Sequence, residues 1–320
     1  MKAVVITRYG GPEVLEVQDT ADPQPKAGQA MVRVQAAGVN FADIMMANGG
    51  YPNTPPPPLV AGREFAGVLE ESGERVMGYT SMSGFAERVA IPRTHIWPIP
   101  DRWSPEEGAA FPVNFFTAYF AYWSAGLLDD EKPRGLRPRV LIHAVAGGVG
   151  TAAIEIGKVL GVELYGTSSA DDKLERCREL GLDHGINYKA HDYEERIQEL
   201  TKGEGVDAVF EMLGGEHTAK SIRCVGFRGR VVIYGSATGK QPQLDVRALY
   251  SRAASVHGLW LTFLSQRQDM MVPAWQRLSR WIADGKVHPI VGHTLPMARA
   301  GDAFRLMLER KNFGKIVLKW

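Results

Sequence analysis

A run of glycines near the middle of the chain has the residue types and spacing of a phosphate-binding loop. It reads Ala144-Val145-Ala146-Gly147-Gly148-Val149-Gly150, after a short apolar run and before an amphipathic stretch. Glycines at such a strand-to-helix junction let the backbone approach a pyrophosphate closely, and the free N–H groups of the helix attract its charge. The sequence therefore predicts a dinucleotide site at Ala146, Gly147, Gly148, Val149 and Gly150. A tight turn without a ligand is the alternative.

The end of the next predicted strand bears on which dinucleotide is bound. An NAD site usually has Asp or Glu there, on the ribose hydroxyls, but this segment ends Gly166-Thr167-Ser168-Ser169. Asp171 and Asp172 are expected in the first turn of a helix, where negative charge is favourable. Lys173 follows within reach of a 2′-phosphate, and two charged hydrogen bonds of about 1.5–3 kcal/mol each favour NADPH over NADH by on the order of a hundredfold. The alternative is that Lys173 is a solvated surface lysine.

Residue types that ligate metals are few and scattered. The chain has two cysteines, Cys177 and Cys224, both expected in helices, and eight histidines without ligand-like spacing. Because zinc sites need several such ligands in a regular arrangement, we predict no zinc site. Without a Lewis acid, hydrogen bonds must stabilise charge on a carbonyl oxygen. Quinones and conjugated enones, which spread that charge over a π-system, suit such a site better than simple alcohols.

Strands and helices alternate between about residues 139 and 235. Strands are predicted at residues 139–144, 162–167, 185–188, 206–212 and 230–235. Helices are predicted at residues 151–160, 171–180 and 192–200, with another from about Glu216. Gly161 and Gly181 end two of these helices, because glycine accepts the left-handed conformation there. The alternation predicts an α/β fold with a parallel sheet covered on both faces.

The two ends of the chain are predicted to share one β-rich region. Residues 1–7, 30–37 and 67–70 have the composition of strands, and the apolar strand at 315–318 needs a sheet to join. A helix at 272–284 precedes that strand. Residues 52–58, with five prolines, and the charged residues 129–139, with two, are expected to be exposed loops.

Length, composition and charge exclude several classes of protein. The 320 residues amount to about two domains, and 45% hydrophobic with 23% charged residues is ordinary for a soluble globular protein. A formal charge of +1 gives no basic field for nucleic acid or an anionic membrane. Two cysteines exclude a disulfide framework and favour a cytoplasmic location. We find neither a signal peptide nor an apolar run of the ~18 residues that span a bilayer.

Short motifs along nearly the whole chain resemble those of a known family. They are Gly38-Val39-Asn40-Phe41-Ala42-Asp43, Gly49-Gly50-Tyr51-Pro52, Gly62-Arg63-Glu64-Phe65-Ala66-Gly67-Val68, Gly108-Ala109-Ala110-Phe111-Pro112, Thr117-Ala118-Tyr119, the loop Ala146 to Gly150, Ile186-Asn187-Tyr188, Gly205-Val206-Asp207, Leu213-Gly214-Gly215, Tyr234-Gly235-Ser236 and Gly314-Lys315-Ile316-Val317-Leu318. In this order they resemble the zinc-free medium-chain dehydrogenase/reductases, in the quinone oxidoreductase (zeta-crystallin)-like branch. Gly166-Thr167-Ser168 and His217-Thr218-Ala219-Lys220 are also similar to the VAT-like subgroup.

The resemblance implies an architecture of two domains. A GroES-like substrate domain is expected at residues 1–121 and 265–320, around a Rossmann dinucleotide-binding domain at 122–264, with the cofactor in the cleft between them. It also implies a homodimer joined through the edge strand of the Rossmann sheet, expected at Ser255 to Leu261.

The resemblance also implies which residues hold NADPH. The 2′-phosphate residues of quinone reductases match Ser168, Lys173 and Tyr188, and Ser169 is expected beside them. The nicotinamide neighbours match Asn40, Asp43 and Thr117. Further cofactor contacts are expected from Leu213, Gly214, Tyr234, Gly235 and Ser236. In zinc-dependent relatives Asn40 would be a cysteine ligand and Arg63 a histidine ligand, so both ligand positions are replaced.

Four residues are candidates for the catalytic site, and several of their roles stay open. Asn40 is expected to donate a hydrogen bond to the substrate carbonyl or the nicotinamide, as the resemblance favours, or else to stabilise the turn before Phe41. Asp43 is expected to lie beside it. Tyr51 either donates its phenol to a substrate oxygen or packs on Pro52. Arg63 either orients a carboxylate or carbonyl, or pairs with Asp43 or Glu64.

Two functions follow from these expectations. The first is an NADPH-dependent, zinc-independent reductase that transfers hydride to a quinone or an α,β-unsaturated carbonyl, with the proton supplied by solvent. The second is an NADPH-binding regulator or adaptor with little turnover. They differ in whether bound NADPH is consumed when an acceptor is supplied.

Overall fold

The computed structural model describes residues 1–128 and 137–320, so most of the loop expected at 129–139 lies outside the described residues. The strands are β1 Lys2–Ile6, β2 Leu15–Asp19, β3 Gln29–Val39, β4 Leu59–Val60, β5 Glu64–Leu69, β6 Arg75–Tyr79, β7 Arg88–Pro92, β8 Ile96–Pro98, β9 Arg139–Ile142, β10 Glu163–Ser168, β11 His184–Asn187, β12 Val206–Glu211, β13 Val225–Ile233, β14 Ser255–Gly258, β15 Val291–Pro296 and β16 Lys315–Lys319. The α-helices are α1 Phe41–Ala47, α2 Pro105–Ala109, α3 Pro112–Ser124, α4 Gly148–Leu160, α5 Asp171–Leu180, α6 Tyr193–Leu200, α7 Glu216–Cys224, α8 Val246–Ser251, α9 Leu261–Leu264, α10 Gln268–Ala283 and α11 Ala300–Leu308.

The chain forms two compact units, and the first draws on both chain ends. It comprises Met1–Asn114, Thr262–Ile282 and His288–Trp320, and the second comprises Phe115–Leu261 and Ala283–Val287. The domain division predicted after residue 121 falls inside α3, whereas the second unit begins at Phe115, also within that helix. The chain was predicted to return to the first domain at residue 265, and it returns to the first unit at Thr262.

The first unit is built on a seven-stranded sheet. Its order is β15-β16-β3-β5-β6-β8, with β7 paired to β3, and a three-stranded sheet has the order β2-β1-β4. The terminal strand β16 pairs antiparallel with β3, so that Val317 lies opposite Gly38. This confirms the prediction that the apolar C-terminal strand joins the N-terminal sheet. It also brings Lys315 beside the residues that follow β3.

The second unit contains a six-stranded parallel sheet. Its order is β11-β10-β9-β12-β13-β14, which is 3-2-1-4-5-6 when strands are counted from β9. This is the order of the doubly wound dinucleotide-binding fold, in which the chain reverses direction across the sheet between the first and fourth strands. The predicted α/β fold is therefore confirmed. Ligands of such sheets bind at the carboxyl ends of the strands beside that reversal, which here are β9 and β12.

Several predicted boundaries shift by a few residues for identifiable reasons. Helix α5 spans the predicted residues, but α4 begins at Gly148, earlier than predicted, because the loop glycines already form its first turn. The strand expected at Ser255 to Leu261 ends at Gly258, where its neighbour β13 ends at Ile233, and Leu261 instead begins α9. In residues 1–128 and 137–320, no helix has the length and apolar character needed to cross a membrane.

Candidate functional site

The glycine loop has the geometry of a phosphate cradle. Val145 N–H donates to the carbonyl of Thr167, which fixes the loop to the end of β10 at 3.0 Å. Gly147 is the N-cap of α4, and the first N–H groups of a helix lack partners within it. A Cβ atom on Gly150 would lie 2.3 Å from the carbonyl oxygen of Val145, so only glycine fits there. The backbone at the start of α4 therefore presents N–H groups that lack partners within the helix, and pyrophosphate binding by Ala146 to Gly150 stays a prediction.

The residues expected to hold a 2′-phosphate lie at the ends of two neighbouring strands. Ser168 ends β10, and its carbonyl accepts the Tyr188 N–H at 3.1 Å, so the two residues are adjacent. Lys173 is half-buried in the first turn of α5, and burial lowers the pKa of its ammonium group. Asp171 accepts a hydrogen bond from the Asn187 side chain at 3.0 Å. The acid closest in sequence after Ser168 is thus already hydrogen-bonded within the protein.

A buried carboxylate anchors the loop that follows β12. One oxygen of Glu211 accepts the N–H groups of Leu213 at 2.6 Å and Gly214 at 2.9 Å. The other oxygen accepts the Ser221 hydroxyl at 2.6 Å. Ser221 also lies 3.0 Å from Nε2 of His143, a buried residue between β9 and the glycine loop. The sequence analysis missed this network, because nothing in the local sequence shows that Glu211 is buried.

The loops after β12 and β13 are bonded to each other. Thr238 N–H donates to the Leu213 carbonyl at 2.9 Å, and the Ser236 hydroxyl donates to the Lys240 carbonyl at 2.7 Å. Tyr234 N–H donates to the Glu211 carbonyl at 3.0 Å. The predicted cofactor residues Leu213, Gly214, Tyr234, Gly235 and Ser236 therefore belong to one bonded pair of loops.

A second group of predicted residues lies in the first unit, around the start of α1. Asn40 is the N-cap of α1, and its N–H donates to the Asp43 carboxylate at 2.8 Å. The Asn40 amide oxygen accepts from Lys315 Nζ at 2.7 Å. Its amide nitrogen donates to Glu64 at 2.9 Å and to the Gly38 carbonyl at 3.3 Å. Both N–H groups of this amide are thus used within the protein, and its predicted donation to a substrate stays a prediction.

Lys315 and Glu64 form a buried ion pair beneath Asn40. Their side chains are almost completely buried, with Lys315 Nζ against one carboxylate oxygen of Glu64. The other oxygen accepts the Val113 N–H at 2.8 Å. Because each charge has a close partner of opposite sign, the pair is electrically balanced. Neither residue was predicted as part of a site, since they approach only when β16 joins the sheet.

Arg63 is buried among neutral groups. Its Nη2 donates to the Tyr79 hydroxyl at 2.7 Å and to the Thr262 hydroxyl at 2.6 Å, and its Nη1 lies 3.6 Å from the sulfur of Met46. The guanidinium carbon lies 4.4 Å from the centre of the Tyr51 ring, at a distance typical of cation–π contacts. The Tyr51 hydroxyl is 3.1 Å from that of Thr262.

Asp43 is fully buried, and its two carboxylate oxygens differ in their hydrogen bonding. Its Oδ1 atom has no hydrogen-bond partner among the described residues. Burial raises the pKa of the carboxyl group to about 7, against the opposing effects of Arg63, the Asn40 N–H group and Lys315. At neutral pH this acid is therefore partly protonated.

The structure brings the predicted residues together in two groups. Asn40, Asp43, Tyr51 and Arg63 lie in the first unit. The predicted cofactor residues other than Asn40, including the buried Thr117 of α3, lie in the second.

The two positions that hold zinc ligands in zinc-dependent relatives do not fit a metal ion here. Asn40 is hydrogen-bonded to Lys315, and Arg63 is a permanent cation, which would repel Zn²⁺ and cannot ligate it. Over residues 1–128 and 137–320, no three His, Cys, Asp or Glu side chains are grouped so as to hold a metal. Cys177 and Cys224 are both buried and free.

Comparisons with known proteins agree with the fold of the two units. Residues 26–101 match the family described as alcohol dehydrogenase GroES-like domain, and residues 148–280 match the family described as zinc-binding dehydrogenase. The synaptic vesicle membrane protein VAT-1 homolog of Danio rerio is 34% identical over 344 residues, which cover 99% of this chain and 69% of that protein. Quinone oxidoreductase-like protein 2 of Bos taurus is 27% identical, over 99% of this chain and 92% of that protein.

A solved structure is similar over the full length. The quinone oxidoreductase of Thermus thermophilus, known also in complex with NADPH, has a TM-score of 0.89 and 35% identity, with 100% of each chain covered. The chain described here belongs to the medium-chain dehydrogenase/reductase superfamily, with VAT-1 and quinone oxidoreductase-like proteins as its homologues.

Proposed function

We propose that the protein is an NADPH-dependent, zinc-independent oxidoreductase whose acceptor is a quinone or an α,β-unsaturated carbonyl. The observation that carries this proposal is the glycine loop, which opens α4 beside the chain reversal of a sheet with dinucleotide-binding strand order. The similarity to a quinone oxidoreductase solved with NADPH supports it. The cation at Arg63, in place of a zinc ligand, supports the zinc-independent chemistry.

The residues of the second unit are proposed to bind and orient the cofactor. The N–H groups at the start of α4 hold the pyrophosphate, and Ser168, Ser169, Lys173 and Tyr188 hold the 2′-phosphate. The loops anchored by Glu211 position the nicotinamide half. When bound, NADPH supplies a hydride, and the acceptor takes up that hydride together with one proton from solvent.

The residues of the first unit are proposed to bind the acceptor. Tyr51 and Arg63 supply an aromatic face and a positive charge. Asn40 and Asp43 are proposed to lie beside the bound acceptor. The Lys315–Glu64 pair holds the Asn40 amide in place. We also propose a homodimer that forms through β14 and is located in the cytoplasm.

The test is the rate of NADPH oxidation, with NADH in parallel, against a panel of quinones and enones. We expect turnover with NADPH and a preference over NADH that the double variant S168A/K173A reduces by about tenfold or more, through loss of charged hydrogen bonds. The control is Lys286→Ala, whose side chain is 53% exposed. Equal rates with NADH in the wild type would contradict the 2′-phosphate site. NADPH binding without oxidation by any acceptor would favour the regulator or adaptor instead.

A further inference from the structure

Among the described residues, the charge of Arg63 has no anionic partner within 4.0 Å. In the described parts of the chain, the ion pairs within 4.0 Å include Lys315 with Glu64, but none contains Arg63. The residue is nevertheless only 3% exposed. A buried charge is normally paired, because removing it from water without compensation is very unfavourable. The guanidinium here is instead held by two hydroxyls, a thioether sulfur and an aromatic ring.

The guanidinium also retains hydrogen-bonding capacity. Of its five N–H donors, three are used on Tyr79, Thr262 and Met46 in the described structure. Two N–H groups therefore remain for a ligand. The neighbouring amide of Asn40, by contrast, has both N–H groups committed to Glu64 and Gly38. Arg63 can therefore donate hydrogen bonds to a ligand without losing any of its existing ones.

Asp43 does not supply the missing anion by direct contact. It influences Arg63 through space, but one of its oxygens accepts the Asn40 N–H, and the other has no hydrogen-bond partner in the described part of the chain. Burial raises the pKa of this carboxyl group to about 7, so its negative charge is incomplete at neutral pH. Since Glu64 is neutralised by Lys315, the cluster retains a net positive charge centred on Arg63.

We propose that Arg63 binds a carboxylate group of the acceptor, so that this site takes quinones or enones that carry an acidic substituent. The inference rests on the proposed hydride transfer and specifies its substrate class. Arginine matches the planar geometry of a carboxylate and can bind it through two N–H groups. The Tyr51 ring covers one face of the guanidinium. The carboxylate would therefore bind at the edge of the guanidinium, where its N–H groups point.

The experiment compares two acceptors with the same enone, 3-benzoylacrylate, which carries a carboxylate, and its uncharged methyl ester. For the wild type we expect kcat/KM to be at least about tenfold higher for the acid. In Arg63→Gln, the KM of the acid should rise by about 30-fold, as expected when one partner of a buried charge pair is removed. The KM of the ester should change by less than about threefold. Arg63→Lys keeps the charge and should retain part of the preference, and Arg88→Gln, at an exposed arginine, is the control.

A binding measurement separates failure of this inference from failure of the proposed reaction. Isothermal titration of 3-benzoylpropionate, which lacks the reducible double bond, into the NADPH-loaded protein should show binding that Arg63→Gln abolishes and Arg88→Gln preserves. If no acceptor is reduced but this binding still depends on Arg63, the hydride transfer is wrong and the carboxylate site stands. If acid and ester are reduced equally well, or Arg63→Gln slows both to the same extent, Arg63 has a structural role and the inference is wrong. Thermal unfolding of Arg63→Lys and Arg63→Gln confirms that the variants are folded.

Discussion

At the scale of single residues, Asp43 shows how burial sets the chemistry of a side chain. Asp43 is the third residue of α1, and its carboxylate accepts a hydrogen bond from the N–H group of the N-cap residue Asn40. Complete burial then raises its pKa to about 7, although Arg63 and Lys315 favour the charged form. The protonated acid is therefore the form that folding favours over much of the acidic range.

This shift predicts a pH dependence of stability. A pKa near 7 in the folded state, against 3.8 otherwise, means that the folded chain binds a proton more strongly. The free energy of unfolding contributed by Asp43 should be fully present below about pH 4 and fall as the pH rises towards 7, by on the order of 4 kcal/mol. The groups that face it are Arg63, Lys315 and Glu64, besides the Asn40 N–H. Asp43→Asn should remove this slope in urea unfolding at pH 4.5, 6 and 8.

Asp19→Asn, at an exposed acid of the same unit, is the control for this prediction and should keep the wild-type slope. A difference between wild type and Asp43→Asn that stays constant with pH would show that Asp43 is already ionised across the range.

At the scale of elements, the loop after β12 depends on one buried carboxylate. Glu211 ends β12 and binds two N–H groups of the following loop and a hydroxyl of α7. Two loop residues, Leu213 and Gly214, are therefore held in place before any ligand arrives. Such positioning lowers the cost of ordering a loop when a ligand binds.

The Glu211→Gln variant tests this positioning. A glutamine replaces one acceptor oxygen by an NH₂ group, which cannot accept the hydrogen bond that Ser221 donates, and its neutral amide oxygen binds the loop N–H groups more weakly than a carboxylate does. We expect the Kd of NADPH to rise by about tenfold, corresponding to about 1.4 kcal/mol. NADPH fluorescence titration measures this, with Glu204→Gln as the control because that side chain is 71% exposed. An unchanged Kd in Glu211→Gln would show that the loop is positioned without this carboxylate.

At the scale of the whole molecule, the predictions that succeeded are those that depend on local patterns. The alternation of strands and helices gave the parallel sheet, and the apolar run at 315–318 indicated a strand in need of a sheet. The order of the strands and the contacts of Arg63 with Thr262 join residues far apart in sequence. One sequence contains no signal for such pairs. Lys315 was therefore recognised as part of a strand but not as the partner of Glu64.

Strand β14 forms one edge of the second unit's sheet. Strand β14 pairs with β13 alone among the described strands, so its other edge has unpaired N–H and C=O groups. Helix α8, which precedes it, exposes 63% of Val246 and 71% of Tyr250. Both features favour pairing of β14 with a second copy, which would join two sheets into one. Since the Leu259 N–H donates to Ile233 within the sheet, alternation along the strand points the Val256 N–H outward.

Val256→Pro removes that outward donor. We expect sedimentation velocity to give a dimer for the wild type at micromolar concentration and a mainly monomeric protein for Val256→Pro. Val256→Thr keeps the N–H group and a similar shape, so it should remain a dimer. Circular dichroism of both variants checks that the sheet is intact, because proline at an edge strand leaves the inner hydrogen bonds in place. A wild type that sediments as a monomer, or a Val256→Pro dimer of unchanged affinity, would rule out assembly through β14.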